Sequence, residues 1–173
     1  MTAVRERCPA CGYAPQTVGP TDAAQAARSF PRRYRAVLVP PDSDDAPDDD
    51  PAARRPPDGG LSALEHSALA AEVLSLTAVA LRRVAVEDEP EVSLVAPDPG
   101  QQWSTEVVLV RLATAATHLA EAIEALRGDA WARPCLLDED GSVTALDVAR
   151  VGVHAGVHHL RDATRVIEQV RVS

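Results

Sequence analysis

Residues 144–170 read TALDVARVGVHAGVHHLRDATRVIEQV, and this stretch decides the fold. Thr144 and Asp147 have the spacing of a capping box, in which a hydroxyl takes one orphan amide and an acid three residues on reaches back. Leu146, Ala149, Val153, Val157, Leu160, Thr164 and Ile167 then recur at three- and four-residue intervals. That stripe predicts one long amphipathic helix running to about Val170. His154 and His158 stand one above the other at i, i+4, at the margin of the stripe.

Moving toward the N-terminus, Leu109, Leu112, Ala116, Leu119, Ile123 and Leu126 mark a second stripe, on a helix beginning near Ser104. Gly128 suits its C-terminal end. Ser62 and Glu65 form another capping box, opening a helix that runs to about Val86 and is ended by Glu87-Asp88-Glu89-Pro90. The first helix starts at the Thr21-Asp22 cap, and Pro31 is expected to split it into two short pieces ending near Leu38, because a mid-helix proline lacks the amide hydrogen and clashes with the preceding turn. Cys135–Gly141 reads as a turn. Residues 42–60, rich in Asp, Pro and Ala, have no apolar periodicity and are expected to form a disordered acidic loop. Glu87–Gln102 is a second long connection, able to run back along a bundle.

These elements predict an all-α protein: a four-helix bundle with a long crossover between helices two and three, preceded by a short cysteine-containing loop. The expected division is an N-terminal segment over 1–20 and a bundle over 21–173. Composition agrees. The 173 residues are 46% hydrophobic but only 3% aromatic, so Ala, Leu and Val must build the core. All basic residues are arginine, a mark of a GC-rich coding bias. The net charge of −9, without a basic patch, argues against nucleic acid and anionic membrane surfaces as partners. Met1–Arg7 has no apolar leader core, no run is long enough to span a bilayer, and three cysteines make no disulfide framework, so a cytoplasmic location is expected.

His154 and His158 invite a metal reading. Zn²⁺ takes imidazole nitrogen well, and two histidines one turn apart supply two ligands without ordering a loop. Asp162 continues the line by one further turn and can orient a ligand histidine through its second nitrogen. The bland alternative is a chance pair on a half-buried helix face. His159 points away, as a surface or packing residue, and His118 falls on a solvated face.

The stretch His154-Ala155-Gly156-Val157-His158-His159-Leu160-Arg161-Asp162 resembles the closing segment of the DinB-like family, which includes the metal-binding domain of mycothiol-dependent maleylpyruvate isomerases. Cys8-Pro9-Ala10-Cys11-Gly12 resembles the opening of an actinobacterial branch of it. Ser62-Ala63-Leu64-Glu65-His66 and Gly128-Asp129-Ala130-Trp131-Ala132-Arg133 resemble two further family segments. The resemblance implies a four-helix bundle holding a divalent metal, Zn²⁺ or Ni²⁺, through a helix-two histidine and two helix-four histidines. His154 and His158 match the latter. The family's helix-two ligand falls at Leu69, and His66 lies one turn earlier. Either His66 substitutes with shifted geometry, giving a His66, His154 and His158 site, or only two good ligands remain. The resemblance further implies a low-molecular-weight thiol as co-substrate and a thiol or electrophile as partner, in a transferase, isomerase or hydrolase-like reaction. No catalytic residue beyond the ligands is singled out. The rival expectation is a non-catalytic bundle kept for interaction or homodimer formation.

Cys8 and Cys11 make half a zinc knuckle, which needs two more ligands; Cys135 is the only other thiol, and its partner would have to be a histidine or come from a second chain. An inert remnant is the alternative. Redox chemistry is disfavoured because a redox motif normally opens a helix, and Gly12 and Pro15 following this one predict a loop. Cys135 reads as an apolar packing residue.

Overall fold

The computed structural model describes residues 6–39, 50–97 and 103–172. Its core is four helices: α1 (Pro20–Leu38), α2 (Ala63–Val86), α3 (Thr105–Ala125) and α4 (Ala145–Arg171). In the bundle, α3 and α4 each pack between α1 and α2, which meet only sparsely across the diagonal. The four-helix bundle predicted from the stripes and caps is the observed fold. Among the described residues, no helix is long and apolar enough to cross a membrane.

The caps explain the boundaries. Ser62 Oγ accepts from the Glu65 amide at 3.1 Å while Glu65 accepts from the Ser62 amide at 2.7 Å. Thr144 and Asp147 reciprocate in the same way at 3.2 Å each. Ser104 accepts from the Val107 amide to start α3. Helix α1 differs from expectation on both counts. Its cap is Gly19, whose amide donates to Asp22 at 3.0 Å, with Pro20 in the first turn. Pro31 lies inside a continuous helix and does not break it. Phe30 and Tyr34, both fully buried, anchor the helix on either side of the proline. Burial of two large aromatic side chains outweighs the local cost of about 3 kcal/mol.

A small sheet was not foreseen. β1 (Glu91–Val92) pairs parallel to β2 (Pro134–Leu137), which pairs antiparallel to β3 (Gly141–Thr144). The stretch read as a turn at 135–141 is thus a hairpin, with Cys135 and Leu137 facing the core. The acidic loop needs correction as well. Residues 42–49 lie outside the described set, but 50–60 are folded onto the bundle. Ala52 is buried and its carbonyl accepts from the Leu64 amide at 3.0 Å. Asp50 accepts from the Thr105 hydroxyl at 2.6 Å, and Arg55 pairs with Glu65.

Two glycines fix how α4 lies against its neighbours. A methyl group at Gly152 would stand 2.5 Å from Thr77 of α2, and one at Gly156 would stand 2.5 Å from the Phe30 ring of α1. The Tyr34 hydroxyl donates to the Gly156 carbonyl at 2.8 Å. Of the predicted stripe, Ala149, Val153, Leu160 and Ile167 are buried; close approach at the glycines widens the buried face to Ala145, Val148, Gly152, Gly156, Ala163 and Val166 and leaves Leu146, Val157 and Thr164 only partly buried.

Candidate metal centre

The N-terminal loop is built by its own backbone. The Cys8 amide donates to the Tyr13 carbonyl and the Gly12 amide to the Cys8 carbonyl, each at 2.8 Å. Gly12 has φ of 76°, a left-handed conformation that costs glycine nothing. The loop is docked onto α4. Tyr13 stacks on the His154 ring with centroids 5.1 Å apart and planes 5° from parallel. Arg150 Nε donates to the Val18 carbonyl at 3.0 Å.

Docking brings Cys8 and Cys11 to His154 and His158. One ligand atom from each of the four lies within 4.8 Å of every other. Cys8 Sγ is 3.6 Å from His158 Nδ1. Bonds of about 2.3 Å to sulfur and 2.0–2.1 Å to nitrogen at the tetrahedral angle give a sulfur–nitrogen edge of about 3.6 Å. His154 Nε2 is buried without a hydrogen-bond partner. Two sulfurs and two imidazoles are a zinc donor set, and a metal bond satisfies a nitrogen that no hydrogen bond does.

The second nitrogen of His158, Nε2, meets Asp162 Oδ2 at 3.3 Å. Asp162 also belongs to a neighbouring group, in which ligand atoms of His66, His159 and Asp162 again lie within 4.8 Å of one another. His66 Nδ1 and His159 Nδ1 are 3.3 Å apart. Two nitrogens on one tetrahedral ion are separated by about 3.3 Å, so this spacing also fits a metal. Asp162 therefore stands between the two groups, and its other oxygen takes Arg165 at 3.2 Å.

The electrostatics differ between the groups. The Cys11 backbone amide, with the His154 and His158 rings adding to it, outweighs burial and holds the Cys8 thiol down at about 6. Burial raises the Cys11 thiol, and the Cys8 sulfur beside it adds to the rise. Burial pushes the His159 imidazole down to about 4, with His66 and His158 reinforcing the shift. The His66 imidazole is lowered for the same reason. Both rings are thus biased to the neutral form that binds metal.

A solved structure shares the fold. The structure of YfiT from Bacillus subtilis, described as a probable metal-dependent hydrolase with an unusual four-helix bundle topology, superposes with a TM-score of 0.69 over 85% of this chain and 85% of that one. Identity is 13%, so the likeness is one of fold. No family model and no curated protein sequence matches the chain.

The residues expected to form one site are divided between two groups. His154 and His158 join Cys8 and Cys11, and His66 joins His159 and Asp162. Of the two expectations for His159, a surface or a packing residue, the surface one fails: it is half-buried and faces His66 with ring centroids 5.6 Å apart. The signal available for it was the i, i+3 spacing of His159 and Asp162, which shares a helix face. For the cysteines the signal was the pairing of Cys-x-x-Cys with His-x-x-x-His, a zinc spacing hidden by the length of chain between the two halves. Cys135 lies apart in β2, where burial raises its thiol to about 11. His118 is exposed, as expected. A groove of about 430 Å³ between the start of α1 and the end of α3 is lined by none of the seven candidate ligands.

Proposed function

We propose that this chain is a metal-dependent protein with hydrolase-type chemistry at His66, His159 and Asp162. The 3.3 Å separation of His66 Nδ1 and His159 Nδ1, with an Asp162 oxygen in the same group, carries this reading. Two imidazoles and one carboxylate are a common donor set of hydrolytic zinc sites, and three protein ligands leave one position open. A divalent ion so held supplies Lewis acidity to a water at that position. His66 enters from α2 and the other two from α4, so the helix packing itself presets the ligand spacing. Support also comes from the shared fold of YfiT, described as a probable metal-dependent hydrolase, and from the DinB-like resemblance.

A low-molecular-weight thiol such as mycothiol would suit the same open position, giving a transferase or isomerase instead. The test is hydrolysis of a panel of chromogenic esters and amides by the zinc-loaded chain, with and without added thiol. Turnover without thiol that disappears in His66→Ala and His159→Ala is the expected result. Turnover only with thiol selects the transferase reading. No turnover in either condition, from a chain with its zinc complement, leaves a non-catalytic bundle.

A further inference from the structure

We infer that Cys8, Cys11, His154 and His158 form a separate, closed Zn²⁺ site that clips the N-terminal loop onto α4. This inference does not rest on the hydrolase-type reading, because it uses a different set of ligands. Its first support is convergence: four soft or borderline donors, from two parts of the chain, fall within 4.8 Å of one another. Its second is metric, since the 3.6 Å contact between Cys8 Sγ and His158 Nδ1 equals the edge of a tetrahedral zinc site of about 3.6 Å. Its third is the buried, unpartnered Nε2 of His154. The Cys-x-x-Cys and His-x-x-x-His spacings both fall within those used by structural zinc sites.

The chemistry selects the ion. Two thiolates disfavour Mg²⁺ and Ca²⁺, which take oxygen, and the mixed sulfur and nitrogen set suits Zn²⁺. Four protein ligands leave no open position, so the site is structural. Binding energy there is folding energy for the segment it ties down. That segment contains Tyr13, whose stacking on His154 depends on the loop staying docked. Asp162 receives His158 Nε2 at 3.3 Å, the carboxylate–histidine–zinc pattern that fixes ring orientation. The clip thereby also sets the position of Asp162 beside His66 and His159.

The alternative for a Cys-x-x-Cys pair is redox work, but none of the three cysteines is in a disulfide and no helix begins at the motif. Cobalt substitution of the full chain tests the clip. Thiolate-bound Co²⁺ gives a sulfur-to-metal charge-transfer band in the near ultraviolet. The band is expected in the wild-type chain and in His66→Ala, and is expected to vanish in the Cys8→Ser and Cys11→Ser double variant. Zinc affinity of this site should fall by about a hundredfold or more in the double variant. No band in the wild-type chain, or unchanged zinc affinity in the double variant, overturns the inference. If the double variant does not fold, limited proteolysis of the wild-type chain decides. Chelation should expose the segment before Val18 to cleavage while α2 and α3 stay protected, and cleavage that is indifferent to chelator overturns the clip.

Discussion

Cys8 and His158, 150 positions apart in the chain, bring Sγ and Nδ1 to 3.6 Å. The opposite edge of the same imidazole meets Asp162, so one ring connects the N-terminal loop to the carboxylate that also serves His66 and His159.

Asp162→Asn keeps the shape of the side chain and removes its charge. The zinc affinity of the Cys8, Cys11, His154 and His158 group should fall by roughly 10–100-fold, as when other carboxylates behind ligand histidines are lost. Competition with a calibrated zinc chelator measures this. The same substitution removes one of the two ligands beside His66, so hydrolytic turnover should fall with it.

The three thiols should differ in reactivity. Burial raises Cys135 to about 11, which leaves it protonated at neutral pH, and its side chain is fully enclosed. Thiolate is the reactive form, so Cys135 should resist alkylation until the chain unfolds. Cys8 and Cys11 are only partly buried. They should react in the metal-free protein and be protected by zinc. Mass spectrometry after timed iodoacetamide treatment reads all three at once.

Gly156→Ala should destabilise the bundle. The new methyl would lie 2.5 Å from the Phe30 ring, and Phe30 is completely buried. Overpacking of this kind costs about 1–3 kcal/mol, against a helix-propensity gain of about 1 kcal/mol. Urea unfolding should show a lower midpoint, with partial recovery in the Gly156→Ala and Phe30→Leu double variant.

Ser62→Ala removes a buried cap at the start of α2, one turn before His66. The expected loss is about 0.5–2 kcal/mol by thermal or urea unfolding. Ser62→Asp should retain most of the stability, because an aspartate oxygen can take the same amide.

Much of this was legible in the sequence. The Ser62, Ser104 and Thr144 caps locate the starts of three helices, because a cap is a local hydrogen bond between residues three apart. Pro31 was misread because its cost is local while the burial of Phe30 and Tyr34 that outweighs it is tertiary. The face of α4 is legible only in part: Ala149, Val153, Leu160 and Ile167 are buried as the stripe predicts, while Leu146, Val157 and Thr164 are not fully so. Gly152 and Gly156 contribute no hydrophobicity, yet their lack of a side chain is what lets Thr77 and Phe30 approach. Turning the helix toward those glycines carries His159 to His66. The strands of the small sheet are four residues or shorter, too brief to show a period. The histidines and cysteines themselves were visible, but their partition into two groups depends on the docked loop, which no local pattern encodes.

On the two proposals together, α4 serves two metal positions, one with sulfur ligands and one without. The most direct test is the zinc-to-protein ratio of the purified full chain by inductively coupled plasma mass spectrometry, after equilibration with zinc and removal of loosely held ion. About two equivalents are expected, falling by one in the Cys8→Ser and Cys11→Ser double variant and by one in His66→Ala. A folded chain that retains no zinc, or one whose ratio is the same in all three proteins, contradicts that assignment.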